Sequence, residues 1–129
     1  MNSPVWIDVR ALRLLHNESL AEHGGLSGMR DENLLMSALA RPQNLFAYER
    51  VTDISRLAAA YAYGITKNHP FADGNKRAAF LCIGLFLALN GYSLQVEQKE
   101  AVNTILSLAA GDLDELALTA WIAKHIVNL

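Results

Sequence analysis

One cysteine and three prolines in 129 residues leave little to staple or interrupt this chain. The lone thiol, Cys82, excludes an internal disulfide and a metal-thiolate site. Its place inside an apolar run marks it as buried and inert, suited to a reducing cytosol. Charge of one sign is missing too, since 11 basic residues against 13 acidic ones give a net charge of −2. The basic residues are scattered rather than striped, so no field holds a nucleic-acid backbone and nucleic acid is not expected as a direct partner. The longest apolar run, Ala78 to Leu89, falls short of the roughly 20 residues a membrane span requires. Met1 to Arg10 lack a cationic start followed by an apolar stretch. The expectation is a soluble, cytoplasmic protein with no membrane partner. Repeats, linkers and low-complexity tracts are also missing, and the length fits one domain over 1–129, burying roughly two thirds of its unfolded surface.

What is present is helical periodicity. Asp8 caps a helix carrying Leu12, Leu15 and Leu20, which Gly24-Gly25 break. Asp31 caps a second with Leu34, Leu35, Ala38 and Leu39, and Arg41-Pro42 are expected to end it. From Pro42 to Val51 the period lapses, which suggests a surface flap with a short irregular hairpin. Thr52 and Asp53 offer caps for a third helix with Leu57, Ala58, Tyr61 and Ile65, ending at Asn68 because Pro70 restricts His69 to extended conformations. Gly74 and Asn75 both tolerate positive backbone torsions, and Asn75 opens a fourth helix, apolar all round, that closes at Asn90-Gly91. Tyr92 to Val96 read as a brief extended segment. A fifth helix carries Ala101, Val102, Ile105 and Leu106, and the Asp112 to Glu115 cluster starts a sixth with Leu116, Trp121 and Ile126. The fold class is all-α, about six helices around a buried central one.

The stretch His69-Pro70-Phe71-Ala72-Asp73-Gly74-Asn75-Lys76-Arg77 holds more chemistry than a helical core needs. A helix beginning at Asn75 leaves its first N–H groups unpaired, and Gly74 lets an anion approach them. Lys76 and Arg77 stand in the first turn, where cations are disfavoured unless an anion offsets them. Asp73 is a hard oxygen ligand of the kind magnesium accepts alongside phosphate oxygens and water. An imidazole exchanges its proton near neutrality, so His69 is the candidate general base for a hydroxyl attacking phosphorus. Each residue alone has a plain structural role open to it, as a cap, a turn or a solvated face; the concentration points to a phosphate-handling site. Phe71 fills the core. His16 and His23 share a helical face but lack a third ligand, so surface or capping roles are expected of them. The aromatic residues mark no base-stacking platform.

At these residues the chain resembles the Fic/Doc family, whose signature runs His, Pro, Phe, any residue, Asp or Glu, Gly, Asn, Gly or Lys, Arg. The match over 69 to 77 is complete, and the segments His23 to Ala40 and Ala40 to Glu49 are similar to the Doc, or death-on-curing, branch. The resemblance implies a Fic fold with His69 as base, Asp73 as magnesium ligand, Gly74, Asn75 and Lys76 lining the phosphate cradle, and Arg77 as a phosphate clamp. It implies ATP and magnesium as cofactors and a flap at about Arg41 to Val51, for which a plain connecting loop is an equal reading. AMP-transferring members have Gly where this chain has Lys76 and a second Arg where it has Phe80; both serve the outer phosphates of ATP. The departures favour the Doc reaction, γ-phosphate transfer to a threonine of elongation factor Tu, which arrests translation. Gly74 matches the AMP-transferring pattern, so protein AMP transfer stays open, as does a non-catalytic nucleotide- or partner-binding module. No inhibitory helix motif is present, because Ser93 to Gln98 ends in Gln. Restraint is therefore expected from a cognate antitoxin.

Overall fold

Aspartates open four of the helices by the same local device, a carboxylate accepting a main-chain N–H that the first turn leaves unpaired. In the computed structural model, which describes residues 3–129, α1 (Val9–His23) starts at Asp8, whose Oδ1 accepts from Arg10 at 2.8 Å. Asp31 accepts from Leu34 to start α2 (Glu32–Glu49), and Asp53, not Thr52, accepts from Ser55 to start α3 (Ile54–Asn68). Past α4 (Asn75–Leu89), β1 (Tyr92–Leu94) and α5 (Gln98–Ala110), Asp114 accepts from Ala117 to start α6 (Glu115–His125), and β2 (Ile126–Asn128) ends the order. The fold is all-α but for the antiparallel pair of β1 and β2, which sets Tyr92 against Asn128 and Leu94 against Ile126. Ile126 therefore lies in a strand and not in α6 as its spacing suggested, since its main chain finds partners in β1. No helix among the described residues is long and apolar enough to cross a membrane.

Two local expectations fail at α2. Pro42 does not end it, and residues 41–51 form neither a hairpin nor a loop: the helix runs through the proline to Glu49, with Arg50 in the left-handed region at φ 57°. The missing N–H forfeits one helical bond to Ala38. In return the Pro42 ring is fully buried, and Ala38, Leu39 and Leu45 continue one apolar face across it. That face meets α3, where a Cβ on Gly64 would stand 3.2 Å from the Ala38 Cα, so the two helices cross almost backbone to backbone. Arg41 is fixed beside the proline, its guanidinium 5.0 Å over the Tyr63 ring. It also pairs with the largely buried Glu115, which takes Arg56 at 2.6 Å as well. Tertiary burial outweighs the local penalty of the ring.

The centre is shared. α4 buries Ala78, Ala79, Cys82, Ile83, Phe86 and Leu87, while its outer residues Gly84, Ala88 and Leu89 reach the surface. α3, packed between α2, α4 and α6, buries ten of its residues, including Leu57, Tyr61 and Ile65. Burial pushes the Cys82 thiol up to about 12, which keeps it protonated and inert. Inside this shell the Tyr61 hydroxyl accepts from the Ile7 N–H at 3.1 Å, and the Asn90 amide joins Val5 to the end of α4. The polypeptide between α3 and α4 leaves the end of one of these enclosed helices and enters the start of the other.

Candidate active site

His69 closes α3 in the left-handed conformation, φ 48° and ψ 55°, instead of the extended one that the following proline favours. Three groups hold it there. Its N–H donates to Ile65 at 3.1 Å. Arg30 donates from Nε to the His69 carbonyl and from Nη2 to the Asn68 carbonyl, both at 2.6 Å. The Pro70 carbonyl accepts from the N–H groups of Arg30 and Asp31 at 2.7 and 3.0 Å. A guanidinium on two carbonyls at a helix C-terminus meets both the unpaired acceptors and the negative end of the dipole. Arg30 is a site-forming residue that the sequence does not betray, because its partners lie 39 and 38 positions away.

The glycine-rich link between α1 and α2 runs alongside as a strap. Gly28 accepts from Ala72 at 3.1 Å, and Met29 bridges Phe71 in antiparallel fashion. Asp73 is bound by the strap and by its own loop: Oδ2 accepts from Leu26 at 3.1 Å and Oδ1 from Gly74 at 2.8 Å. These N–H donors, Leu26 first and Gly74 next, hold its carboxyl below the usual carboxylate range. The carboxylate remains at the surface.

Gly74 takes φ +75° as the N-cap of α4 and supplies no side-chain capping bond. The N–H groups of Asn75, Lys76 and Arg77 therefore lack intrahelical acceptors. Lys76 and Arg77 project outward and form no ion pair among the described residues. Asn75 behaves differently from a cradle side chain. Its Oδ1 accepts from the Phe71 N–H and its Nδ2 donates to the Phe71 carbonyl, each at 3.0 Å, with His69 Nδ1 at 3.5 Å from Nδ2. It is buried and helical, so only its main-chain N–H faces an anion. The structure thus gathers His69, Asp73, Gly74, Lys76 and Arg77 at one exposed mouth and places Asn75 directly behind it as the internal tie.

Around this mouth lie two further features. Lys76, Arg77 and Phe80 open onto a groove of about 580 Å³ between α1, α4 and α5, lined also by Leu15, Val102 and Leu106. Beneath the loop sits His16, which is not at the surface: it is 2% exposed and stacks on Phe71 with ring centroids 3.9 Å apart. His23, by contrast, is exposed beside Glu22. The signal for His16 was its spacing from Leu12 and Leu20, which share the buried face of α1. Among the described residues no group of three or more His, Cys, Asp or Glu could hold a metal. A metal here would need the single carboxylate of Asp73 completed by ligand oxygens and water, which is magnesium's habit.

Known proteins resemble this chain over most of its length. The chain is 32% identical over 107 residues to "Protein kinase doc" of Escherichia phage P1, covering 83% of this chain and 84% of that one. It is 36% identical over 102 residues to "Toxin Doc" of Mycolicibacterium smegmatis, strain ATCC 700084 / mc(2)155, covering 73% of this chain and 76% of that one. The Fic/DOC family model matches residues 6–87, a span that reaches from the segment before α1 into the last turn of α4 and includes every residue of the mouth. The chain belongs to the Fic/DOC family.

Proposed function

We propose that this protein is the toxin of a toxin–antitoxin pair, a kinase that moves the γ-phosphate of magnesium ATP to a hydroxyl of a translation factor such as elongation factor Tu. The observation that carries this reading is the opening of α4, with no side-chain capping bond and with two outward cations beside the exposed His69. That mouth fits a phosphate: unpaired N–H groups and a glycine without a Cβ suit its oxygens, and Asp73 presents a surface carboxylate to magnesium. Magnesium, when bound, would neutralise charge on the outer phosphates. Within the chain, His69 takes the proton of the incoming hydroxyl, the N–H groups of Asn75 to Arg77 hold phosphate oxygens, and the Arg77 guanidinium clamps them. The threonine target and cytoplasmic action follow from the same reading, as does arrest of translation.

ATP labelled separately at the α and γ positions, supplied with a bacterial lysate, tests the reaction class. Label from the γ position alone is expected on one protein band. Label from the α position alone would replace the kinase by an AMP transferase, and label from neither would leave a binding module. On this reading the long Lys76 side chain crowds the subsite that the outer phosphates would take in the AMP-transfer pose. Lys76→Gly is therefore expected to move transfer at least partly to the α position, and unaltered γ transfer would show that the lysine does not set ATP's orientation.

We further propose that a cognate antitoxin lays an amphipathic segment into the groove beside Lys76 and Arg77. Val102 and Leu106, 50% and 47% exposed, form an apolar rim that water otherwise covers. Val102→Glu with Leu106→Glu is expected to weaken antitoxin binding by tenfold or more, on the order of 1.4 kcal/mol, while transfer persists. Antitoxin binding at full strength to that variant would move the docking site elsewhere.

A further inference from the structure

His16 has no stated role, yet it is an expensive residue where it stands. Both ring nitrogens are buried without a hydrogen-bond partner. Desolvation lowers its proton affinity, while the Asp73 main-chain carbonyl, already beside the ring but outside hydrogen-bond geometry, raises it, as the Asp73 carboxylate does, and Arg77 lowers it. An apolar ring would stack on Phe71 equally well and leave no polar group stranded. The imidazole also touches the helix mouth from behind. A Cβ on Gly74 would stand 2.9 Å from its Cε1 and 3.7 Å from its Nδ1.

The neighbouring peptide gives the stranded donor a use. The Gly74 N–H is now spent on Asp73 Oδ1 at 2.8 Å, and the other Asp73 oxygen is taken by Leu26. A phosphate can claim the Gly74 N–H only when that local bond opens, whereas the carboxylate keeps free lone pairs for a metal in either case. In a trans peptide the carbonyl of one residue and the N–H of the next point in opposite directions. A donor on the α1 side that holds the Asp73 carbonyl inward therefore turns the Gly74 N–H outward to the ligand.

Resting on the phosphate-handling reading above, we infer that His16 is a positioning residue: its ring N–H takes the Asp73 main-chain carbonyl when a magnesium nucleotide binds, and so presents the Gly74 N–H to phosphate. The ring acts through the loop and touches no reacting atom. The Asp73 carbonyl already lies beside the ring, so only a small adjustment of the loop brings the two into a hydrogen bond.

The test compares wild type with His16→Phe, which keeps the stack and removes both nitrogens, and His16→Asn, which keeps a donor near the place of Nδ1. Magnesium-ADP affinity is read by calorimetry and folding by thermal unfolding. His16→Phe is expected to melt as wild type does but to bind about tenfold more weakly, the worth of one hydrogen bond to a polar partner, and His16→Asn is expected to recover most of that loss. Equal affinity in wild type and His16→Phe, or no recovery with Asn, overturns the inference and leaves the kinase reading intact. A wild type that binds no magnesium nucleotide ends both. Should His16→Phe fail to fold, the ring nitrogens are followed by ¹⁵N resonance in wild type: a shift of one nitrogen on adding magnesium-ADP supports the donor role, and unchanged resonances refute it.

Discussion

His69→Ala is expected to lower kcat/KM for phosphate transfer by about 10³-fold, within the roughly 10² to 10⁴ that a positioned acid–base group contributes. Its melting temperature and nucleotide affinity should stay at wild-type values. The imidazole is exposed, and the structure asks nothing of it for packing. The backbone conformation at 69 is imposed from outside the side chain, by Arg30 on the carbonyls and by Ile65 on the N–H. Alanine inherits that same left-handed backbone, so little stability is exchanged. Steady-state kinetics with the purified acceptor, run beside calorimetric nucleotide binding, separates chemistry from binding. A variant that keeps a tenth of the wild-type rate would show that no base acts at this position.

Asn75→Ala is the counterpart, expected to act on the fold first. Its amide satisfies both main-chain groups of Phe71, whose side chain is 2% exposed and whose ring supports His16. Truncation leaves a buried donor and a buried acceptor without partners, at about 1–3 kcal/mol each. A loss of about 2–6 kcal/mol follows, which for a chain of this size lowers Tm by roughly 10 °C or more. Thermal unfolding by circular dichroism reads it directly. A variant that melts with wild type but binds nucleotide poorly would mean that the amide serves the ligand and not the loop.

These two residues also mark how far local sequence carried. The caps Asp8 and Asp31 were legible because capping is settled within three residues, Asp53 was one of two offered with Thr52, and Asp114 lay within the cluster that marked the start of α6. The polar cluster from His69 to Arg77 was legible because its members are contiguous and precede an apolar helix. What escaped depended on partners distant in the chain. Pro42 signals a helix end by itself, and only the burial of its ring and the apolar face it shares with Leu39 and Leu45 carry α2 onward to Glu49. Pro70 signals an extended His69, and Arg30, 39 positions away, helps hold it left-handed instead. That the Asn75 side chain turns inward onto Phe71 was not legible, because a sequence does not say which way a side chain turns. His16 looked peripheral because a histidine on a helix is ordinarily wet, although its spacing placed it with Leu12 and Leu20.

The single carboxylate of Glu115 joins Arg41 of α2 to Arg56 of α3 from the first turn of α6. Glu115 lies 74 and 59 positions beyond them, so neither guanidinium gains this counter-ion until α6 packs against α3, and one carboxylate then ties three helices at a single point.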